Sequence, residues 1–201
     1  MTTGSPLPVP HAPRAEAVVI GASAGAVDAL SVILPALPEG YPLPVMVVVH
    51  VPPNKKSIMA ELFRNKCRVD VREADDKEPL APGTVYFAPP DYHLLVEPDR
   101  RLSLSSEEPV HYSRPAIDVL FESAADAFGP ALVAVLLTGA SSDGACGLKA
   151  VCDAGGAALV QHPDEAAMPT MPRAGIAACP KASVMYLEQI AGHLRDLGRR
   201  P

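Results

Sequence analysis

A chain of 201 residues with 48% apolar residues, 20% charged residues and a net charge of −6 has the composition of one globular domain. A chain of this size buries about 70% of its unfolded surface, which excludes wholesale disorder. The best apolar run, Val45 to Val51, includes His50 and is far short of the ~18–20 residues of a membrane helix, and the short basic pairs Lys55-Lys56 and Arg199-Arg200 give no footprint for a phosphate backbone. A soluble protein with no membrane insertion and no nucleic-acid partner is expected.

The first residues, MTTGSPLPVPHAPRAEA, place Pro6, Pro8, Pro10 and Pro13 where a signal peptide needs an unbroken apolar helix. Residues 1–15 are therefore expected to be a disordered tail with a cytoplasmic start, and residues 16–198 a single domain. AVVIG, ending at Gly21, is a β-branched run followed by small residues and by VDALSVILPAL, in which Val27, Leu30, Ile33, Leu34 and Leu37 follow helical spacing. VMVVV, ending at Val49, closes on His50, and after a Pro-Asn loop SIMAELFRNKC repeats the helical period. Continuous Val/Ile runs point to strands buried on both faces of a parallel sheet.

From Val69 to Ser105 the texture changes to short runs (VDVRE, TVYFAPP, HLLVEP, RLSLS) separated by Pro-Gly and Pro-Asp turn signals, which reads as a small antiparallel hairpin insertion. Alternation then resumes with helix IDVLFESAADAF, strand ALVAVLL, helix GLKAVCDAG, strand AALVQ, a loop with a short helix, strand SVMYL and helix LEQIAGHLRDL. This order predicts an α/β fold: a doubly wound, mostly parallel sheet in a Rossmann-like three-layer arrangement. Cys67, Cys146, Cys152 and Cys179 form no C-x-x-C pair and lie in or beside apolar segments, so they are expected to be reduced core residues.

In open parallel sheets ligands bind at the carboxyl ends of the strands. Gly21-Ala22-Ser23-Ala24-Gly25 matches G-x-S-x-G between a strand and a helix, a turn that exposes a serine hydroxyl. His50 closes the next strand, and Asp143 lies in Thr138-Gly139-Ala140-Ser141-Ser142-Asp143-Gly144 after ALVAVLL. Serine, imidazole and carboxylate at one sheet edge supply a nucleophile, its base and the group that fixes the base's tautomer, which implies acyl transfer. The bland readings compete: the glycine turn can be a plain βα connection, and Asp143 can simply cap a helix. On residue pattern alone His162, after AALVQ, is equivalent to His50, and Asp164 rivals Asp143. His11, His93, His111 and His193 show no metal-ligand spacing and read as structural or solvated.

Taken together, VVIGASAGAVDAL, VVVHVPPNKKSIMAELF, APGTVYFAPPDYHLLV, SRPAIDVLFESAA, LLTGASSDGACGLKAVCDAGG and VQHPDEAAMPTMPRAGI resemble the catalytic domain of the chemotaxis receptor methylesterases, the CheB family of protein-glutamate methylesterases. The resemblance covers roughly residues 17 to 190. It implies Ser23 as nucleophile, His50 as base and Asp143 as triad carboxylate, with His162 a loop variation where relatives commonly carry Asp. The implied reaction removes the methyl ester from glutamyl side chains on chemoreceptor signalling helices and releases methanol, and many relatives also deamidate glutamines. No metal or organic cofactor is implied. Backbone N–H groups near Ala24 and in the turn Gly139, Ala140, Ser141 would hold the oxyanion.

Relatives usually carry Ser-Thr-Gly-Gly at the elbow and Thr-Gly-Met-Gly before the Asp. Here Ala24 replaces the Thr, and Ala140 and Ser141 replace the Met and Gly. Most relatives also carry an N-terminal receiver domain, which the few residues before the first strand cannot form, so control by a response-regulator partner in trans is expected. Two other classes compete. A dinucleotide-binding reading of TGASSDG fails because Asp143 stands where that loop needs glycine and no Tyr-x-x-x-Lys pair occurs. A catalytically silent adaptor on the same scaffold draws on the Ala24 and Ala140 substitutions, and retention of Ser23, His50 and Asp143 argues against it.

Overall fold

The computed structural model describes residues 14–50 and 58–198. The chain runs β1 (Ala17–Ala22), α1 (Ala26–Ile33), β2 (Val45–Val49), α2 (Met59–Arg64), β3 (Asp70–Glu73), β4 (Thr84–Phe87), β5 (His93–Val96) and β6 (Leu102–Ser105). It continues through α3 (Ile117–Phe128), β7 (Leu132–Leu136), α4 (Ala145–Asp153), β8 (Ala157–Gln161), α5 (Thr170–Ala178), β9 (Ser183–Met185) and α6 (Leu187–Leu197). Among the described residues, seven strands form one parallel sheet in the order β3-β4-β2-β1-β7-β8-β9, and β5-β6 make a separate antiparallel pair.

Every residue of β1, β2 and β7 is buried, as continuous apolar runs require when helices cover both faces of a sheet. Val18 and Ile20 of β1, with Val45, Val47, Val133 and Val135, face a layer made by α1, α2 and α6. Val19, Met46, Val48, Ala134 and Leu136 face α3, α4, α5 and the hairpin. The period of two along each strand thus divides one apolar run between two cores, giving the three-layer doubly wound arrangement expected from the sequence. Winding leaves β1 in opposite directions, toward β2 and toward β7, so the crevice at the carboxyl ends of these strands is the topological switch point.

The structure corrects three expectations. The insertion is smaller than Val69 to Ser105, since β3 and β4 join the main sheet in parallel and only β5-β6 form a hairpin. Pro82-Gly83 is not a hairpin turn: the segment between β3 and β4 first runs beside β6, with Lys77 N–H donating to Leu102 O and Leu102 N–H to Glu78 O. This detour returns the chain so that β4 lies parallel to β3. Val27 does not join the buried stripe of α1 and is 42% exposed; Ala26, Ala29, Leu30 and Ile33 form that face instead.

The cysteines are the third correction. Cys152 and Cys179 form a disulfide, Cys67 is half-buried and Cys146 is exposed. The bond joins the C-terminal ends of α4 and α5, which pack against each other, across 27 residues of sequence. No spacing rule could anticipate the pairing, because the proximity is created by helix packing. Thiol titration of the unfolded, unreduced protein should therefore detect Cys67 and Cys146 only, and reduction should lower the unfolding free energy by about 3.5 kcal/mol, the loop-closure value for such a span. Cys152→Ser should show the same loss and no further response to reductant.

Candidate active site at the switch point

Three strand ends build the site. After β1 the chain turns through Ser23 and Ala24 to Gly25, which holds φ 86° at the start of α1. Glycine is required there twice over: the conformation is left-handed, and a Cβ would lie 2.8 Å from that of Ala167. Backbone bonds attach this turn to its neighbours. Ser23 N–H donates to Thr138 O at 2.9 Å, and His50 N–H donates to Ala22 O at 3.2 Å. Ser23 and His50 are thereby held at adjoining strand ends. The Ser23 hydroxyl forms no hydrogen bond with a described residue, so the backbone alone sets this approach.

His50 Nε2 donates to Asp143 Oδ2 at 2.7 Å. The carboxylate is fully buried, while the imidazole keeps 13% of its surface exposed. Asp143 also accepts Ile117 N–H at 2.7 Å and Asp118 N–H at 3.0 Å, the first amides of α3. These amides lack intrahelical acceptors, and they form the positive end of the helix dipole. Burial alone would raise the Asp143 carboxyl's pKa. The hydrogen bonds from His50, Ile117 and Asp118, with the field of His50, outweigh burial and hold the group below the usual carboxylate range. Asp143 is thus an ionised acceptor, which places a proton on His50 Nε2 and leaves Nδ1 as the nitrogen able to accept one.

Asp118 has the opposite environment. Its carboxylate is buried, accepts Gly147 N–H at 2.7 Å and faces His111 at 3.3 Å. Burial, reinforced by the charge of Asp143, pushes its pKa up despite the Gly147 bond. Asp118 was not singled out in the sequence, where it reads as an ordinary first-turn acid of a helix. Thr138 and Gln161 were missed as well. Thr138 Oγ1 donates to Ala24 O at 2.8 Å and accepts Met168 N–H at 2.9 Å, and Thr138 N–H donates to Gln161 Oε1 at 2.8 Å. Buried polar residues at the ends of apolar strands were the available signal for both.

The rival residues lie elsewhere. His162 stacks on Tyr186, with ring centroids 4.6 Å apart, and its Nδ1 accepts Asp164 N–H at 3.3 Å. His93 is buried and structural: Nδ1 accepts Ala116 N–H at 3.2 Å, while Nε2 donates to Glu108 O at 3.1 Å, fixing the approach to α3. In the loop after β7, Gly139 N–H donates to Met168 O, and Asp143 N–H donates to Ser141 Oγ. The Ala24 and Ala140 amides have no acceptor among the described residues. A cavity of about 260 Å³ adjoins His50, lined also by Asp91, Pro109, Tyr112, Ser113, Arg114 and Pro115. No helix among the described residues is long and apolar enough to cross a membrane.

This arrangement can be set beside known proteins. The CheB methylesterase profile matches residues 18–194. The chain belongs to the CheB methylesterase family. A crystal structure of the Thermotoga maritima CheB methylesterase catalytic domain superposes with a TM-score of 0.86 at 32% identity, covering 91% of this chain and 98% of that one. A putative protein-glutamate methylesterase/protein-glutamine glutaminase of Leptospira interrogans is 44% identical over 88% of this chain and 91% of its own length. The Nocardioides protein-glutamate methylesterase/protein-glutamine glutaminase is 41% identical, and there this CheB-family chain spans 51% of the relative's length.

The two acids should respond oppositely to pH. A depressed folded pKa means that Asp143 contributes stability in full above the ordinary carboxylate value, lost as pH falls through the folded value. A raised folded pKa means that ionised Asp118 opposes folding above its folded value, and protonation relieves the cost. Asp143→Ala, which strands two amides and His50, should lose about 3 kcal/mol at pH 7 in urea unfolding. Asp118→Asn keeps an acceptor for Gly147 N–H and removes the charge, so its stability at pH 7 should match or exceed the parent's. A loss as large as that of Asp143→Ala would contradict the assignment.

Proposed function

We propose that this CheB-family chain hydrolyses glutamate methyl esters on the signalling helices of chemoreceptors, with Ser23 as nucleophile, His50 as general base and Asp143 as the carboxylate that orients it. The observation that carries this reading is the 2.7 Å His50–Asp143 pair standing at a strand end beside the Ser23 turn. Family membership and the names of the relatives support the ester substrate and the reaction type. As Ser23 Oγ attacks the ester carbonyl, its proton passes to His50 Nδ1, the nitrogen not occupied by Asp143. Asp143 stabilises the resulting imidazolium.

The Ala24 and Ala140 N–H groups are suited to receive the oxyanion, each such donor being worth roughly 3 kcal/mol in known hydrolases. Gly139 and Ser141 shape the loop that presents Ala140. Collapse of the tetrahedral intermediate expels methoxide, which leaves as methanol with the proton from His50. Water then attacks the glutamyl-Ser23 ester, giving its proton to His50, and Ser23 departs with that proton. A glutamine amide enters the same acyl-enzyme by losing ammonia, which accounts for the paired activities in the relatives' names. Backbone donors explain why alanine suffices at positions 24 and 140.

A cavity of about 260 Å³ beside His50 offers room for a glutamyl ester side chain carried on a partner's helix. A cytoplasmic location and a methylated receptor as partner follow from this reading. A response regulator acting in trans would have to cover the Ser23 turn and compete with the receptor. Ser23→Ala and His50→Ala should each lower methanol release from methylated receptor by more than about 1,000-fold, and the double variant should be little worse, because the residues act as a unit. A serine-reactive phosphonate should label Ser23. Multiplicative losses in the double variant, or labelling elsewhere, would overturn the assignment. Ala140→Met or Ala24→Thr should change turnover by no more than about tenfold, since the donors are backbone amides.

A further inference from the structure

Behind the proposed catalytic pair lies a second cluster that the mechanism does not use in full. His111, in the turn before α3, Asp118, in the first turn of α3, and Asp143, before α4, come from three segments. Each offers one ligand atom, and these atoms all lie within 4.8 Å of one another. His111 Nε2 is 3.3 Å from Asp118 Oδ2. In a tetrahedral site with bonds of about 2.0–2.1 Å, neighbouring ligand atoms stand about 3.3 Å apart, so this pair already spans one edge of such a site. The His111 ring is 47% exposed and opens the cluster to solvent.

The surroundings carry excess negative charge. Asp118 and Asp143 bring two carboxylates into the protein interior side by side. Asp143 Oδ2 is filled by the Ile117 amide and His50, whereas Asp143 Oδ1, which accepts the Asp118 amide, keeps a further lone pair for a cation. We propose that His111, Asp118 and Asp143 form a binding site for a divalent transition-metal cation of the zinc class, whose occupancy inhibits the esterase. One imidazole with two carboxylates suits zinc and disfavours magnesium, which prefers oxygen ligands and retained waters.

Inhibition follows because a cation drawing charge from Asp143 weakens the His50 hydrogen bond that fixes the proton on Nε2. This half rests on the proposed role of Asp143 in catalysis, whereas the binding half does not. Equilibrium dialysis of the metal-stripped chain against Zn²⁺ should show one site with a low-micromolar midpoint, unaffected by millimolar Mg²⁺. His111→Ala should weaken that binding at least tenfold while leaving metal-free turnover within twofold of the parent, and Cys146→Ser should retain it. Zn²⁺ should inhibit the parent with the dialysis midpoint, and His111→Ala should need at least tenfold more. Unchanged binding by His111→Ala, or loss of binding in Cys146→Ser, would overturn the site. Binding at the site without inhibition would overturn its regulatory role. Absence of turnover from the metal-free parent would count against the proposed function and leave the dialysis result intact.

Discussion

A carboxylate removed from water must be given partners, and Asp143 obtains them from three directions. Two are the leading amides of α3 and the third is His50. Because the donors belong to different segments, satisfying one buried charge fixes the end of β2, the start of α3 and the turn before α4 relative to one another. The same bonds that keep Asp143 ionised determine which nitrogen of His50 holds a proton. In the proposed reaction, stability and chemistry are therefore coupled through a single group, as expected for a buried polar network whose members are all satisfied.

The Ser23 turn depends on a different constraint, close approach. Small residues at 21 to 25 let β1 pass directly into α1. A side chain at Gly21 would meet Ile117, whose own amide binds Asp143, with only 2.3 Å to its methyl carbon. Thr138 then ties the turn to the end of β7, and Gln161, at the end of β8, holds Thr138 in turn. These two residues contribute no chemistry in the proposed reaction. They hold the backbone from which Ser23, Ala24 and Ala140 project, and preorganised backbone donors are what an oxyanion needs.

His93 extends the same logic outward. By binding Ala116 N–H and Glu108 O it fixes the segment that leads into α3, and that segment carries His111 to Asp118. The antiparallel pair β5-β6 therefore has a structural task, because its first residue is His93. Two His–Asp contacts result, one beside Ser23 and the other behind it. They share the leading turn of α3 and differ in their electrostatics, with Asp143 stabilised as an anion and Asp118 opposed.

The sequence by itself determined the layered α/β fold, since apolar period and β-branched runs report directly on burial and need no long-range information. It also placed Ser23 and His50 at the ends of β1 and β2, and Asp143 in the loop that follows β7. Residue pattern could not separate His50 from His162, because both follow buried strands. Tertiary structure separated them by bringing Asp143 to one and Tyr186 to the other. It also decided the Cys152–Cys179 bond, the parallel placement of β3 and β4, and the pairing of His111 with Asp118. Each of these joins residues distant in sequence, through helix packing or a detour of the chain. Local spacing has no access to such contacts, because the free energy that forms them lies in the packing of whole elements.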